Sequence, residues 1–326
     1  MLAVEEIADD PRRWYTTNLV GLSAQLLGSL DFNDFPQRMY VAATRETHQG
    51  LFKLLRQCEL QAAAAEVFGH YMRVAFAVGE SRAELSAAEA RHYRSTFVKL
   101  LQGWGFDANS PAGAVLKGWV ESRFGLPPTF HKAPLDRFPS EAWMQYIEEK
   151  LCSRFHNNCI QLQLDLLFEY CQFCLERFRP FGAGTHVELY RGTQHSELQP
   201  LRGSLRERWG VIRLNNLVSF SLSRERAEEF GDIMLISQVP LAKLLFFPGL
   251  IQDKVLNGEG EALVIGGDFE VCLNVQGSPR ISSSARSVRT SDLRWAMRSV
   301  PQSSSWMQKR LRSAMACTVK WSAAAG

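Results

Sequence analysis

Cysteine is sparse and odd in number, with seven in 326 residues at positions 58, 152, 159, 171, 174, 272 and 317. That excludes a disulfide scaffold and fits a reducing compartment, so no structural disulfide is expected. No segment approaches the roughly 18 uninterrupted apolar residues of a membrane span. The opening MLAVEEIADDPRR places acids where a signal peptide needs a basic and then an apolar stretch, and a cytoplasmic protein is expected. GxxxxGK with Ser or Thr, GxGxxG, HExxH and GxSxG are all missing, so the commonest nucleotide, metal and serine-hydrolase signatures lend no support. Acids are also nearly missing from residues 277–326, where nine Lys and Arg face Asp292 alone. The net +8 of this segment leaves −5 for the rest of a chain whose total is +3.

What is present is a globular composition, 46% apolar and 11% aromatic, with sequence enough for a sizeable core in one large domain or two. From Phe35 to about Phe178 the apolar residues recur at helical spacing, as in Phe52, Leu55, Phe68 and Met72, or Phe97, Leu100, Leu101 and Trp104. Pro127 and Pro128 interrupt the pattern. Ser140 followed by Glu141 reads as an N-cap with a first-turn acid, opening a run that ends near Arg177 to Pro180, with His156 to Asn158 marking a break inside it. After Gly184 short β-rich runs take over: 186–190, 217–221, 233–239, 242–247, 261–265 and 269–275. A short helix from Arg224 to Phe230, capped by Ser223 and stopped by Gly231, lies between two of them. Gly266-Gly267 reads as a hairpin turn, which would line one sheet face with Ala262, Val264, Phe269, Val271 and Leu273.

The expected fold class is α+β. A large helical part, residues 1–183, packs on a mixed β-sheet core, residues 184–276. Residues 277–326 hold twelve serines and no sustained period and read as a disordered basic tail. The acidic body speaks against a nucleic-acid-binding protein with the tail as its working part.

Several chemical clusters yield to plainer readings. Cys152, His156 and Cys159 would share a face of one helix, yet lack a fourth ligand and a conventional zinc spacing, so a buried helix stripe is the better account. Cys171 and Cys174 copy a CxxC spacing inside an apolar helical run, where packing explains them. Glu148 and Glu149 point about 100° apart on a helix, as do Glu228 and Glu229, and neither pair can converge on one atom. Glu259-Gly260-Glu261 differs: in an extended segment both carboxylates project to one side, with Cα atoms roughly 6.6 to 7 Å apart. Gly258 and Gly260 leave room for a ligand beside them. Asp268 and Glu270 form a weaker pair of the same parity.

An ExE at a strand start is by itself most often a solvated edge. The order of three elements changes its weight: Leu189-Tyr190-Arg191-Gly192, then Asn215 to Leu222 containing Ser219-Phe220-Ser221, then Glu259-Gly260-Glu261. This series resembles the Arg, Ser-x-Ser, Glu-x-Glu signature of arginine-directed mono-ADP-ribosyltransferases, with Phe220 in place of the more familiar central threonine. The stretches LLGSLDFNDFPQR (26–38), LLQGWGFDANSPAGAVLKGWVESRFGLPPTFHK (100–132), EEKLCSRFHNNC (148–159) and VIRLNNLVSFS (211–221) are similar to the NAD-dependent dinitrogenase reductase ADP-ribosyltransferases of nitrogen-fixing bacteria. The resemblance covers about residues 14–276.

It implies that NAD is consumed as a substrate, with no metal required. Breaking the nicotinamide–ribose bond spreads positive charge over C1′ and the ring oxygen, as in glycoside cleavage. By resemblance Glu261 holds the ribose and stabilises that cation, while Glu259 orients the acceptor arginine and takes its proton. Arg191 meets the pyrophosphate or ribose side, Ser219 orients Glu261 and seats the nicotinamide ribose, and Gly192, Asn215, Phe220 and Ser221 shape the NAD pocket. The implied protein substrate is dinitrogenase reductase, whose modification shuts down nitrogenase, with a PII signalling protein as regulator. The helical part is the natural candidate for target recognition, because a lone arginine offers too few contacts to select one protein. Alternatives are an NAD glycohydrolase, a transferase with another protein target, and a non-catalytic NAD-dependent regulatory binding module; the presence of both acids argues against the last.

Overall fold

The computed structural model describes residues 18–76, 96–194, 200–204, 208–252, 256 and 260–275, so Glu259 and the basic tail lie outside the described residues. Helices come first: α1 Ala24–Leu27, α2 Leu30–Asp34, α3 Thr44–Thr47, α4 Gln49–Gln57, α5 Gln61–Phe76, α6 Phe97–Phe106 and α7 Pro111–Phe124. A two-stranded ribbon follows, β1 Phe130–His131 and β2 Ala133–Pro134, and then α8 Glu141–Cys152 and α9 Asn158–Phe178. Ser140 accepts from Trp143 N at the start of α8 and Asn157 accepts from Ile160 N at the start of α9. Such caps satisfy backbone donors that have no helical partner and contribute about 1 kcal/mol each.

From Gln163 to Leu175 every residue of α9 is buried, the mark of a helix with partners on all sides. On one side Tyr170 stacks on Phe68, with ring centroids 3.9 Å apart. On another, Gln172 Nε2 donates to Leu244 O at 2.8 Å and Cys171 Sγ to the same carbonyl at 3.4 Å, which ties the helix to the sheet. Asp165 accepts from Trp119 Nε1 at 2.8 Å and from Arg123 Nε at 2.7 Å. Helices and sheet thus share one hydrophobic core, and the described residues form one compact unit.

The sheet contains β3 His186–Thr193, β4 Pro200–Ser204, β5 Trp209–Ser221, β6 Ile233–Pro240, β7 Leu244–Phe246 and β8 Glu261–Val275, in the order β4-β5-β3-β6-β8-β7. Strand β5 also pairs with β8, so β5, β3, β6 and β8 close a ring of pairings. The helix α10, Arg224–Glu228, is capped by Ser223, which accepts from Arg226 N. It lies between β5 and β6.

Three expectations need correcting. Every described pairing is antiparallel rather than mixed, because apolar alternation marks a strand without fixing its direction. Gly266-Gly267 is no hairpin turn: β8 runs straight through it along β5, where Leu214 faces Gly267 and Leu217 faces Ile265. Asn215 and Asn216 therefore bulge opposite Gly266, and a Cβ on Gly266 would sit 1.6 Å from Asn215 O. Gly267, at φ +121°, lets the Gly28 backbone close in, and Gly28 O accepts from Asp268 N at 2.8 Å. Leu263 and Ile265 are buried as well as Ala262 and Val264, so both faces of this part of β8 are covered. Finally, Cys152, His156 and Cys159 do not share a helix, since the first ends α8, the second is in the loop and the third belongs to α9. Cys152 and His156 are exposed, which also rules out a buried stripe.

Candidate active site

Strand pairing assembles the site. Tyr190 of β3 faces Ser221 of β5, Ser221 faces Glu261 of β8, and Ser219 faces Leu263. Residues directly opposite in an antiparallel pair project to one face, so Ser219, Ser221 and Glu261 share a face, with Ser219 diagonal to Glu261. Phe220 alternates to the other side, where it is 2% exposed against Phe269, ring centroids 6.2 Å apart. The central position of the Ser-x-Ser motif is thus a core position, and an apolar residue there leaves both serines in place.

Arg191 Nη1 donates to Ser219 O at 2.7 Å. The Ser219 hydroxyl lies diagonal to the half-buried Glu261 carboxylate and favours its ionised form. Burial is the largest influence on Glu261 and raises its pKa above the ordinary carboxylate value, while the Ser219 hydrogen bond and the Arg191 charge pull it back down. Trp104, from α6, donates its indole N–H to Ser219 Oγ at 2.8 Å. Sequence reading singled out Arg191, Ser219 and Glu261 but missed Trp104, which shows in the chain only as one more apolar residue of a helical run.

Ser221 Oγ accepts from Ser223 N at 3.0 Å, and Gly260 O accepts from Leu222 N at 2.8 Å, so the end of β5 and the approach to Glu261 are held together. Gly192 lies under α10: a Cβ there would come within 2.1 Å of Ala227 O and 3.0 Å of Phe230 Cβ. Phe230 itself is 71% exposed beside this strand. Asn215 is not brought to the cluster; its amide, on the bulge, donates to Phe130 O at 2.8 Å and accepts from Thr129 N at 3.0 Å.

Other carboxylates noted in the sequence are engaged elsewhere. Asp268 pairs with Arg213 at 2.7 and 2.9 Å, and Glu149 pairs with His131 and Lys132. Cys171 and Cys174 are buried thiols whose pKa values are pushed up by burial, the opposite of an activated cysteine. Cavities of about 360 and 530 Å³ lie in the helical part around Cys152 and Ser153, and neither is lined by Arg191, Ser219 or Glu261. Among the described residues, no group of three His, Cys, Asp or Glu side chains is placed to hold a metal ion, and no helix is long and apolar enough to cross a membrane.

The cluster sets a partly desolvated carboxylate under the influence of a guanidinium charge, with a hydroxyl diagonal to the acid on the same sheet face. Such a carboxylate stabilises positive charge developing on a neighbouring sugar, and the cation suits a polyanionic ligand. A family model for dinitrogenase reductase ADP-ribosyltransferase matches residues 17–273, and the chain belongs to that family. The NAD(+)--dinitrogen-reductase ADP-D-ribosyltransferase of Rhodospirillum rubrum is 44% identical over 266 residues, covering 81% of this chain and 96% of that relative. No solved structure matches the chain.

Proposed function

We propose that this protein transfers ADP-ribose from NAD to an arginine of dinitrogenase reductase, releasing nicotinamide and inactivating nitrogenase. The observation that carries the reading is the meeting of Arg191, Ser219 and Glu261 in a chain of this family. NAD fits this donor set: Arg191 offers charge to the pyrophosphate, Ser219 and Glu261 offer partners to ribose hydroxyls, and the exposed Phe230 ring offers a flat apolar face. Gly192 and Gly260 add no side-chain bulk beside them.

Glu261 acts on the donor. As the bond from C1′ to nicotinamide N1 breaks, its electron pair leaves with nicotinamide, and the carboxylate beneath the ribose is worth most when the cation is fullest. Glu259 acts on the acceptor. A guanidinium is a poor nucleophile with a pKa above about 12, so a carboxylate must orient one nitrogen at C1′ and take its proton as the new bond forms. Because burial raises the Glu261 pKa and the anion is the working form, activity falls on acidification through a range above that of an ordinary carboxylate.

The antiparallel sheet with three motifs at neighbouring strand ends supports an ADP-ribosyltransferase-type core over residues 184–276. The helical part serves target recognition, since a lone arginine offers too few contacts to select one protein. A PII signalling protein as regulator rests on the family resemblance alone, and a cytoplasmic setting on the sparse, odd cysteine set. The test is incubation with labelled NAD and dinitrogenase reductase beside Glu259→Gln. That variant is expected to lose arginine transfer by about 100-fold or more while retaining slow NAD hydrolysis; unchanged transfer removes Glu259 from its role, and NAD cleavage without transfer by the unaltered protein makes it a glycohydrolase.

A further inference from the structure

Ser219 is met from two sides, and the two contacts are chemically unequal. An indole N–H can only donate, whereas a serine hydroxyl has one proton and two lone pairs. With Trp104 Nε1 at 2.8 Å from Oγ, the oxygen is an acceptor on that side, and its proton is available to Glu261, which lies diagonal to Ser219 on the same sheet face. The main-chain oxygen of Ser219 is taken separately by Arg191. We propose that Trp104 is a positioning residue of the transfer reaction, using its indole N–H to commit the Ser219 hydroxyl proton to Glu261. The proposal rests on the reading of Glu261 as the ribose-side carboxylate.

The support for Trp104 is rigid. It is 4% exposed on α6, whose first turn is held by Thr96 Oγ1 accepting from Lys99 N and by Gln163 Oε1 accepting from Phe97 N at 2.9 Å. The same helix lies hard against α7, where a Cβ on Gly103 would come within 2.8 Å of Ala112 Cβ. The donor therefore arrives on a packed element from a distant part of the chain, and it disfavours the rotamer in which the hydroxyl proton points at the indole. Without the indole N–H the hydroxyl rotates among its wells, and Glu261 loses part of the hydrogen bonding that keeps it ionised in a desolvated place.

Trp104→Phe keeps an aromatic ring and removes the donor. The expected result is a kcat for nicotinamide release reduced on the order of tenfold, a KM for NAD within about twofold, and an acid limb of the kcat–pH profile displaced to higher pH. In a Ser219→Ala background, followed in single turnover, Trp104→Phe should change the rate by less than about twofold, because the group it acts through is gone. Should the Phe variant fail to fold, benzothienylalanine at position 104 preserves the bicyclic shape without the N–H and should give the same kinetic result. An unchanged kcat and pH profile in either variant, or equal losses with and without the Ser219 hydroxyl, overturns the proposal. Glu261→Gln run in parallel separates the two levels: if it cleaves NAD normally the reading of the site fails, and if it is dead while the Trp104 variants match wild type only the role of Trp104 falls.

Discussion

Lys243 is fully buried beneath the bulge that β8 crosses after Glu261, and replacing it with methionine should stabilise the protein at neutral pH. Its ammonium donates to Gly266 O at 3.2 Å and lies 4.7 Å from the centroid of the Phe269 ring and 5.4 Å from that of Phe32. Those rings and the Asp268 charge favour the cation, but desolvation outweighs them and brings the pKa from 10.5 down to about 7. Between these values the unfolded chain holds a proton that the folded protein releases, so stability rises with pH at about 1.4 kcal/mol per pH unit, close to 5 kcal/mol across the window. Below about pH 7 that whole cost is present, and above 10.5 it is absent. Methionine is similar in length and carries no charge. Less about 1 kcal/mol for the lost hydrogen bond, Lys243→Met should gain roughly 2 to 4 kcal/mol at pH 7, with the gain shrinking towards pH 10. Urea denaturation of both proteins at pH 7, 8 and 9 measures it, and other titrating groups cancel in the difference. A constant difference, or a loss at pH 7, would refute the reasoning.

Three further outcomes follow from the geometry. Ser219→Ala removes the hydroxyl that favours ionised Glu261, so nicotinamide release should fall by about 10- to 100-fold near neutral pH and recover partly as pH rises; a pH-independent loss would contradict this. Gly192→Ala drives a methyl into Ala227 O, forcing α10 off β3 at a cost of about 1 to 3 kcal/mol in thermal unfolding and with weaker NAD binding; wild-type values for both would show that α10 yields freely. Asp165→Ala leaves Arg123 and the Trp119 N–H without their common partner, at roughly 3 to 5 kcal/mol by chemical denaturation, and a loss under 1 kcal/mol would place the core's support elsewhere.

What could be read from the chain was what the chain encodes locally. Ser140 and Ser223 stand where helices begin because their side chains satisfy the first free N–H groups, and the three motifs were visible because each sits within a few residues. Gly266-Gly267 was misread because two glycines supply the same backbone freedom to a turn and to a strand that must pass a bulge; only the pairing with Asn215 and Asn216 distinguishes them. The cysteine and histidine spacing around residue 156 failed because periodicity presumes one unbroken helix. Trp104 could not have been found at all, since its partner Ser219 is 115 residues away in sequence and the contact exists only once helices and sheet have packed.

Single-turnover release of nicotinamide from NAD by Glu261→Gln, with NAD affinity measured calorimetrically on the same sample, bears most directly on the assignment of donor chemistry to Glu261. The prediction is affinity within a few-fold of wild type and a cleavage rate lower by at least about 1,000-fold. Cleavage at the wild-type rate by this variant would show that another group carries the ribosyl cation.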